Sequence, residues 1–297
     1  MGNNGYTRAL HFTHPPRRIV SLVPSYTESL FDLGFGETVV GITDFCIHPT
    51  QSLQSLPRLG GPKNPRIKDI LELKPDLVLA NWEENTRKTV EALEAAGIRV
   101  WVTFPKTVRQ ALDMLWLLIG VFHSTAAAAR LESLELALEW AISAKEDISP
   151  LRYFCPIWQD KMADGLAWWM TFNQDTYPHD LLGLLGGQNI FAERQRRYPL
   201  MADLGLAKPR KGGKGDLRYP RVTLDEIRKA DPELIILPSE PFSYREEHLP
   251  EINDLFSGTT AVRRQSIYLV DGSLITWHGT RLAHALQELP GLFAGLP

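Results

Sequence analysis

A helix end, a proline, an acid and a run of strand-forming residues follow one another twice along this chain. The first copy is Ile70-Leu71-Glu72-Leu73-Lys74-Pro75-Asp76-Leu77-Val78-Leu79, and the second is Ile227-Arg228-Lys229-Ala230-Asp231-Pro232-Glu233-Leu234-Ile235-Ile236. Proline cannot continue a helix, and a short apolar run after it suits a strand covered on both faces. Such joints belong to parallel sheets layered with helices, so the repeat predicts two lobes of similar design. Helix-proline-strand joints are common enough that one short match can also arise by coincidence, and the neighbouring elements must support the reading.

They do so in order. Ile19 to Val23 has the β-branching of a buried strand, and Pro24 stops it. Ser25-Tyr26-Thr27-Glu28 has the spacing of a capping box, opening a helix that Gly34 can close in the left-handed region. The alternation continues with strand Val39 to Ile42, a helix near Ile67 to Leu73, strand Leu77 to Ala80, helix Thr86 to Ala96 closed by Gly97, and strand Arg99 to Thr103. From Thr107 the pattern is almost uninterrupted helix, broken near His123-Ser124-Thr125; its second piece, Ala126 to about Asp147, would be roughly 30–35 Å long. That length can cross between lobes. Ser149-Pro150 ends it, and Arg152 to Trp158 begins a second series with helix Tyr177 to Leu185 and strand Leu234 to Leu237. The expected architecture is α/β: two Rossmann-like lobes joined by a single long backbone helix, with a ligand cleft between them. In numbers this is a polar tail over 1–16, an N-terminal lobe over 17–106, a helical segment over 107–148 and a C-terminal lobe over 149–297. Met201 to Val222, basic and glycine-rich, reads as a flexible loop or lid, and its Gly212-Gly213-Lys214-Gly215 lacks phosphate-loop spacing.

Composition removes several classes. A formal charge of -3 with scattered Lys and Arg leaves no basic footprint for nucleic acid. The most apolar stretch, Ala111 to Phe122, is shorter than the roughly 18 residues of a membrane span and contains Asp113. The first residues have no apolar signal-peptide segment, so the chain as written is expected in the cytoplasm, or in the periplasm or outside the cell had a leader been removed. Cys46 and Cys155 fit one bridge or two reduced thiols equally.

No catalytic motif of the hydrolase, zinc-protease or dinucleotide type is present. Polar and aromatic residues instead gather where strands end, the place where open α/β sheets hold ligands. Phe45, Cys46 and His48 follow the second strand; a C-x-H pair offers a thiolate and an imidazole to a metal, while a buried thiol beside a hydrogen-bonded histidine is the plainer reading. Trp82 and Glu83 leave the third strand, where Trp82 can stack a flat ligand and the acid can equally serve a helix N-terminus. Further on lie Trp158, Trp168, Asp175 and His179, then Glu240 and Phe242, then Trp277, His278 and Arg281. Asp175 or Thr176 can cap a helix, which leaves His179 unexplained. Among the tryptophans, 101, 116 and 140 read as core, and 82, 158, 168 and 277 as an aromatic cleft lining. Cys46, His48, His179 and His278 are the candidate metal ligands, set on opposite lobes.

Arg18 to Glu28, Val40-Gly41-Ile42, Leu73 to Leu79 and Leu185-Gly186-Gly187-Gln188-Asn189-Ile190-Phe191 together resemble the helical-backbone substrate-binding proteins of ABC importers, over about residues 17 to 290. Cys46-Ile47-His48-Pro49, Gly60-Gly61-Pro62-Lys63-Asn64-Pro65 and Trp277 to Arg281 are similar to the cobalamin-binding-like metal receptor branch, which adds Lys63 and Asn64 to the candidate ligand residues. The resemblance implies a monomer without catalysis or a required cofactor, limited hinge motion, and a small-molecule ligand of the metal-chelate class: cobalamin, haem or a ferric siderophore. It also implies docking to a permease through acidic residues near Asp69 and near Asp225 or Glu226, although Lys68 reverses the charge expected on the first lobe. Two other readings stand beside it: a cytoplasmic carrier or sensor of the same fold, and a metal-assisted hydrolase using Cys46, His48, His179 and His278.

Overall fold

The computed structural model describes residues 12–145, 149–210 and 215–294. They divide into two compact units. The first holds the described residues up to Ala137 together with Trp277–Ala283, and the second holds Leu138–Thr276 and the described residues from His284 on.

The first unit alternates β1 (Ile19–Ser21), α1 (Pro24–Asp32), β2 (Val39–Ile42), α2 (Ile67–Glu72), β3 (Leu77–Asn81), α3 (Arg87–Ala95) and β4 (Val100–Thr103), followed by α4 (Val108–Phe122) and α5 (Thr125–Ser143). Its sheet has the order β2-β1-β3-β4, and every pairing is parallel. β1 and β3 are wholly buried because both their faces are covered, which is why they read as continuous apolar runs. Val20, Leu22, Val78, Ile70 and Leu93 form a core beneath the sheet. The helical run breaks at His123, which is left-handed (φ 52°), and α5 resumes from there. Its expected end, at about Asp147, lies outside the described residues, and the chain passes from the first unit to the second within α5.

The second unit contains β5 (Leu151–Phe154), β6 (Trp158–Lys161), β7 (Ala167–Met170), α6 (Tyr177–Leu184), β8 (Gly187–Asn189), α7 (Leu200–Asp203), β9 (Arg221–Thr223), α8 (Leu224–Ala230), β10 (Leu234–Pro238), α9 (Leu249–Leu255) and β11 (Ile267–Val270). A parallel sheet of order β11-β10-β5-β8 is accompanied by an antiparallel sheet, β6-β7-β9, that the sequence pattern does not announce. Phe154, Trp169, Ile235, Ile252 and Phe256 belong to the core of this unit. Two tryptophan assignments change as a result. Trp168 is 7% exposed within β7, whereas Trp140, expected in the core, is 71% exposed on α5.

The repeated joint is built alike in both units. Lys74 and Asp231, at equivalent positions before the proline, both take left-handed backbone (φ 47° and 44°). Arg18 precedes β1 and donates through its guanidinium to the Leu73 carbonyl at 2.9 and 2.7 Å, as Arg152 does to the Ala230 carbonyl. The acid after each proline then accepts from the same arginine's backbone N–H: Asp76 from Arg18 at 2.9 Å and Glu233 from Arg152 at 3.1 Å. One arginine thus closes a helix and an acid aligns the next strand, twice.

Candidate functional site

In the first unit three loops at the C-terminal edge of the sheet are tied to one another. Arg58 pins the loop after β2 by donating to the carbonyls of Thr43 (3.1 Å) and Cys46 (2.6 Å). Lys63 donates to the Glu83 carbonyl, and the Asn85 amide donates to the carbonyls of Pro62 (2.9 Å) and Leu22 (3.3 Å). Gly60 is left-handed (φ 90°), which shapes the turn carrying Lys63 and Asn64. On this frame Phe45 and Trp82 stand 60% and 47% exposed, and Trp82 packs edge-on to Phe104 at 5.1 Å.

Cys46 and His48 do not face one side. Cys46 is buried with its thiol between the hydroxyls of Thr27 (3.1 Å) and Thr43 (3.2 Å), and burial pushes its pKa up, so it remains a thiol. His48 is half-buried and meets the Trp277 ring edge-on at 5.8 Å.

Trp277–Ala283, expected with the second lobe, packs against α1 instead. Gly279 is left-handed (φ 94°), and a Cβ there would lie 2.4 Å from Ser29 Oγ, so only glycine allows this approach. The Thr280 hydroxyl donates to Asp32 at 2.7 Å, and the Ser29 hydroxyl accepts the Thr280 N–H at 3.1 Å. Arg281 Nη1 and Glu28 Oε1 form a buried ion pair at 3.0 Å, with the guanidinium 6.0 Å from the Trp277 ring. Ser25 and Glu28 therefore do not make a capping box: α1 begins at Pro24 with no side-chain cap, and Glu28 turns inward to Arg281. Burial raises the Glu28 pKa against the opposing influence of Arg281.

His278 is buried between Asn81 and Ser25. Asn81 Oδ1 accepts the Glu83 N–H at 2.8 Å, which directs its amide nitrogen to His278 Nε2 at 3.3 Å. Nε2 is then the acceptor, and Nδ1 carries the proton toward Ser25 Oγ at 3.4 Å. Burial lowers its pKa to about 4, so the ring is neutral near pH 7.

The second unit has its own strand-exit group. Asn189 Oδ1 accepts the Phe191 N–H (2.9 Å), leaving its amide to donate to His179 Nδ1 at 3.4 Å and to the Phe172 carbonyl at 3.0 Å. Burial lowers the pKa of His179, against Asp180 and Asp175. Asp175 is exposed and caps nothing: its N–H donates to Asn173, and the Thr176 hydroxyl donates backwards to the Asn173 carbonyl. Glu240 accepts from the Thr276 hydroxyl at 2.9 Å. Trp158, 40% exposed, meets Phe242 edge-on at 5.8 Å, while Trp168 lies under the Arg221 guanidinium at 5.9 Å.

Among the described residues no three His, Cys, Asp or Glu side chains gather as a metal site, so Cys46, His48 and His278, all in the first unit, do not come together as a ligand set. Cys46 is a protonated thiol, and His278 and His179 already hold amide partners. The residues that organise the first unit's edge, Ser25, Glu28, Arg58, Asn81 and Asn85, escape sequence reading because each looks like an ordinary turn or cap.

The sequence signature described as periplasmic binding protein matches residues 19–274. The vitamin B12-binding protein of Vibrio cholerae serotype O1 is 28% identical over 191 residues, covering 62% of this chain and 64% of that protein. The chain thus spans slightly under two thirds of the length of this curated relative. A cobalamin-binding protein of Halobacterium salinarum is 24% identical over 294 residues, 96% of this chain and 71% of that protein. Among solved structures, the periplasmic vitamin B12 binding protein of Vibrio cholerae superposes with a TM-score of 0.72 at 20% identity, covering 94% of this chain and 97% of that one. A periplasmic haem-binding protein from Pseudomonas aeruginosa gives 0.69 at 21% identity, covering 94% and 92%. At these identities the two structures establish the shared fold. No helix among the described residues is long and apolar enough to cross a membrane.

Proposed function

The chain belongs to the periplasmic binding protein family, and from that premise we propose that it binds a metal chelate of the corrin type without covalent chemistry, as the substrate-binding component of an ABC importer. One observation carries the reading. In the first unit Ser25, Glu28, Cys46 and His278, four groups able to do acid, base or nucleophilic work, are buried in internal hydrogen bonds or ion pairs, while the aromatic faces of Phe45 and Trp82 are exposed at the strand exits. Such an edge suits stacking on a flat ligand more than turning it over. Haem-binding relatives keep a tetrapyrrole as the second ligand to try, and the cobalamin-binding names of the curated relatives put a corrin first. The metal-assisted hydrolase is disfavoured because Cys46, His48 and His278, the three of its four residues that lie in the first unit, form no cluster there.

In an importer the protein would work on the outer face of the membrane and meet a permease through surface acids. Asp225 is exposed at the start of α8 and suits that role; Glu226 beside it is engaged with Thr223 and Arg194, and Asp69 is paired with Arg66 at 2.6 Å. The test is titration of the purified protein with aquocobalamin, haemin and a ferric hydroxamate siderophore, followed by visible absorbance and calorimetry. A saturable 1:1 isotherm with aquocobalamin is expected. Absence of saturable binding to all three chelates would refute the proposal.

A further inference from the structure

The basic stretch after β8 holds two large apolar side chains out in solvent. α7 closes on Gly205, left-handed at φ 78°, whose N–H donates to the Ala202 carbonyl at 3.2 Å, while the Leu206 N–H donates to the Met201 carbonyl at 2.8 Å. This pair of bonds is the helix ending in which the apolar side chains before and after the turn, here Met201 and Leu206, meet. Both stay open to solvent, Met201 at 38% and Leu206 at 53% exposure. The frame beneath them is fixed: Asp203 is buried and accepts the backbone N–H groups of Arg197 at 2.9 Å and Arg221 at 2.8 Å.

Cations flank this apolar pair. Lys208 and Arg210 follow Leu206 in a run that is exposed throughout, and the Arg210 N–H donates to the Tyr198 carbonyl at 2.9 Å, which lays Arg197 and Tyr198 beside it. Arg197, Lys208 and Arg210 are exposed, and none forms an ion pair among the described residues. The two acids of the same stretch are already engaged, Asp203 with Arg194 at 3.1 Å and Asp216 with Arg218 at 2.6 Å. The stretch thus shows the solvent uncompensated positive charge around an apolar point, on a chain whose formal charge is -3.

We infer that this segment of the second unit is a docking surface for a bilayer rich in anionic phospholipid. The charge pattern selects the partner: lipid phosphates meet Arg197, Lys208 and Arg210, while Met201 and Leu206 enter the boundary between headgroups and acyl chains. A nucleic acid would satisfy the cations and leave the apolar pair in water. An acidic protein would need an interface of about 800 Å² on each side to hold stably, far more than two apolar side chains provide. A membrane surface needs neither a pocket nor that area, because apolar burial and attraction to the charged headgroups add. The surface is separate from the chelate function proposed above.

Co-sedimentation of the full chain with vesicles tests it, using phosphatidylcholine alone and an equal mixture with phosphatidylglycerol. The chain is expected to bind the mixed vesicles, to ignore the neutral ones, and to be released by salt, a readout that requires no variant. Lys208→Ala with Arg210→Ala should weaken binding on the order of twentyfold, about fivefold for each cation. Met201→Ser with Leu206→Ser should weaken it at unchanged charge. Lys88→Ala with Lys229→Ala, the same loss of charge at exposed positions elsewhere, should leave it nearly intact. No binding to the mixed vesicles, equal binding to both kinds, indifference to the Met201 and Leu206 changes, or an equal loss in the Lys88 and Lys229 variant would each overturn the inference. Retention on immobilised polyglutamate without vesicle binding would also overturn it, in favour of an acidic protein partner.

Discussion

Substituting His278 by glutamine removes the one imidazole buried between Asn81 and Ser25, and the structure sets the size and sign of the effect on acid stability. Protonating Nε2 would turn it from acceptor to donor against an Asn81 amide already fixed as a donor, in a site only 8% exposed. Its pKa is accordingly depressed from 6.5 to about 4, with burial as the cause. Between those pH values the unfolded chain binds a proton that the folded chain refuses. Stability from this group is thus fully present above the unfolded pKa and is lost as pH falls toward the folded one, by on the order of 3 kcal/mol in all. Wild type and His278→Gln should be unfolded in urea at half-unit steps from pH 7 to pH 4. The wild type is the more stable at pH 7, and the gap is expected to close by about that amount toward pH 4, other titrating groups cancelling because both proteins contain them. A gap that stays constant with pH, or an NMR titration placing the His278 pKa at its ordinary 6.5, would refute the reasoning.

Three further outcomes are expected. Arg281→Met strands the buried Glu28 carboxylate, whose Oε2 has no partner among the described residues, and should cost about 3–5 kcal/mol in urea unfolding; adding Glu28→Gln should restore part of this, and additive losses would argue against coupling. Asp203→Asn leaves one acceptor oxygen where the carboxylate uses both, Oδ1 for the Arg197 N–H (2.9 Å) and Oδ2 for the Arg221 N–H (2.8 Å); trypsin should cut between these residues several-fold faster, and unchanged cleavage would show that the acid does not hold the segment. Trp277→Ala should weaken corrin binding by roughly 1–3 kcal/mol while shifting the melting temperature by only a few degrees, because the ring is half-buried against His48 and Arg281; a large fall in melting temperature with intact binding would make it core.

Local signals carried much of the architecture. β1 and β3 could be read because strands covered on both faces become unbroken apolar runs, and the joints at Lys74-Pro75 and Asp231-Pro232 because proline marks a helix end at short range. The β6-β7-β9 sheet was opaque for the opposite reason. Trp158-Gln159-Asp160-Lys161 is mostly exposed, and β7 pairs with β9, whose partners Arg221–Thr223 lie beyond a long basic insertion. Trp140 misled because an Ala/Leu/Glu-rich helix presents apolar residues on several faces, and composition alone does not say which one is covered.

The site was legible as a neighbourhood and illegible as a set of partners. Placing ligand residues at strand exits follows from sheet topology and needs no knowledge of contacts. Partners are another matter, as Ser25 and Glu28 show. Their three-residue spacing satisfies the rule for a capping box, yet Glu28 pairs with Arg281, 253 positions away, and Ser25 faces His278, equally distant. What overrides the local rule is Pro24 at the first turn of α1: proline has no N–H to be capped, so the helix start needs one partner fewer. The two side chains are then available to the segment that Gly279 lets approach, and Trp277, His278 and Arg281 reach the first unit's strand exits by that route. A histidine expected to hold a metal from the second lobe is, by the same packing, a neutral strut in the first.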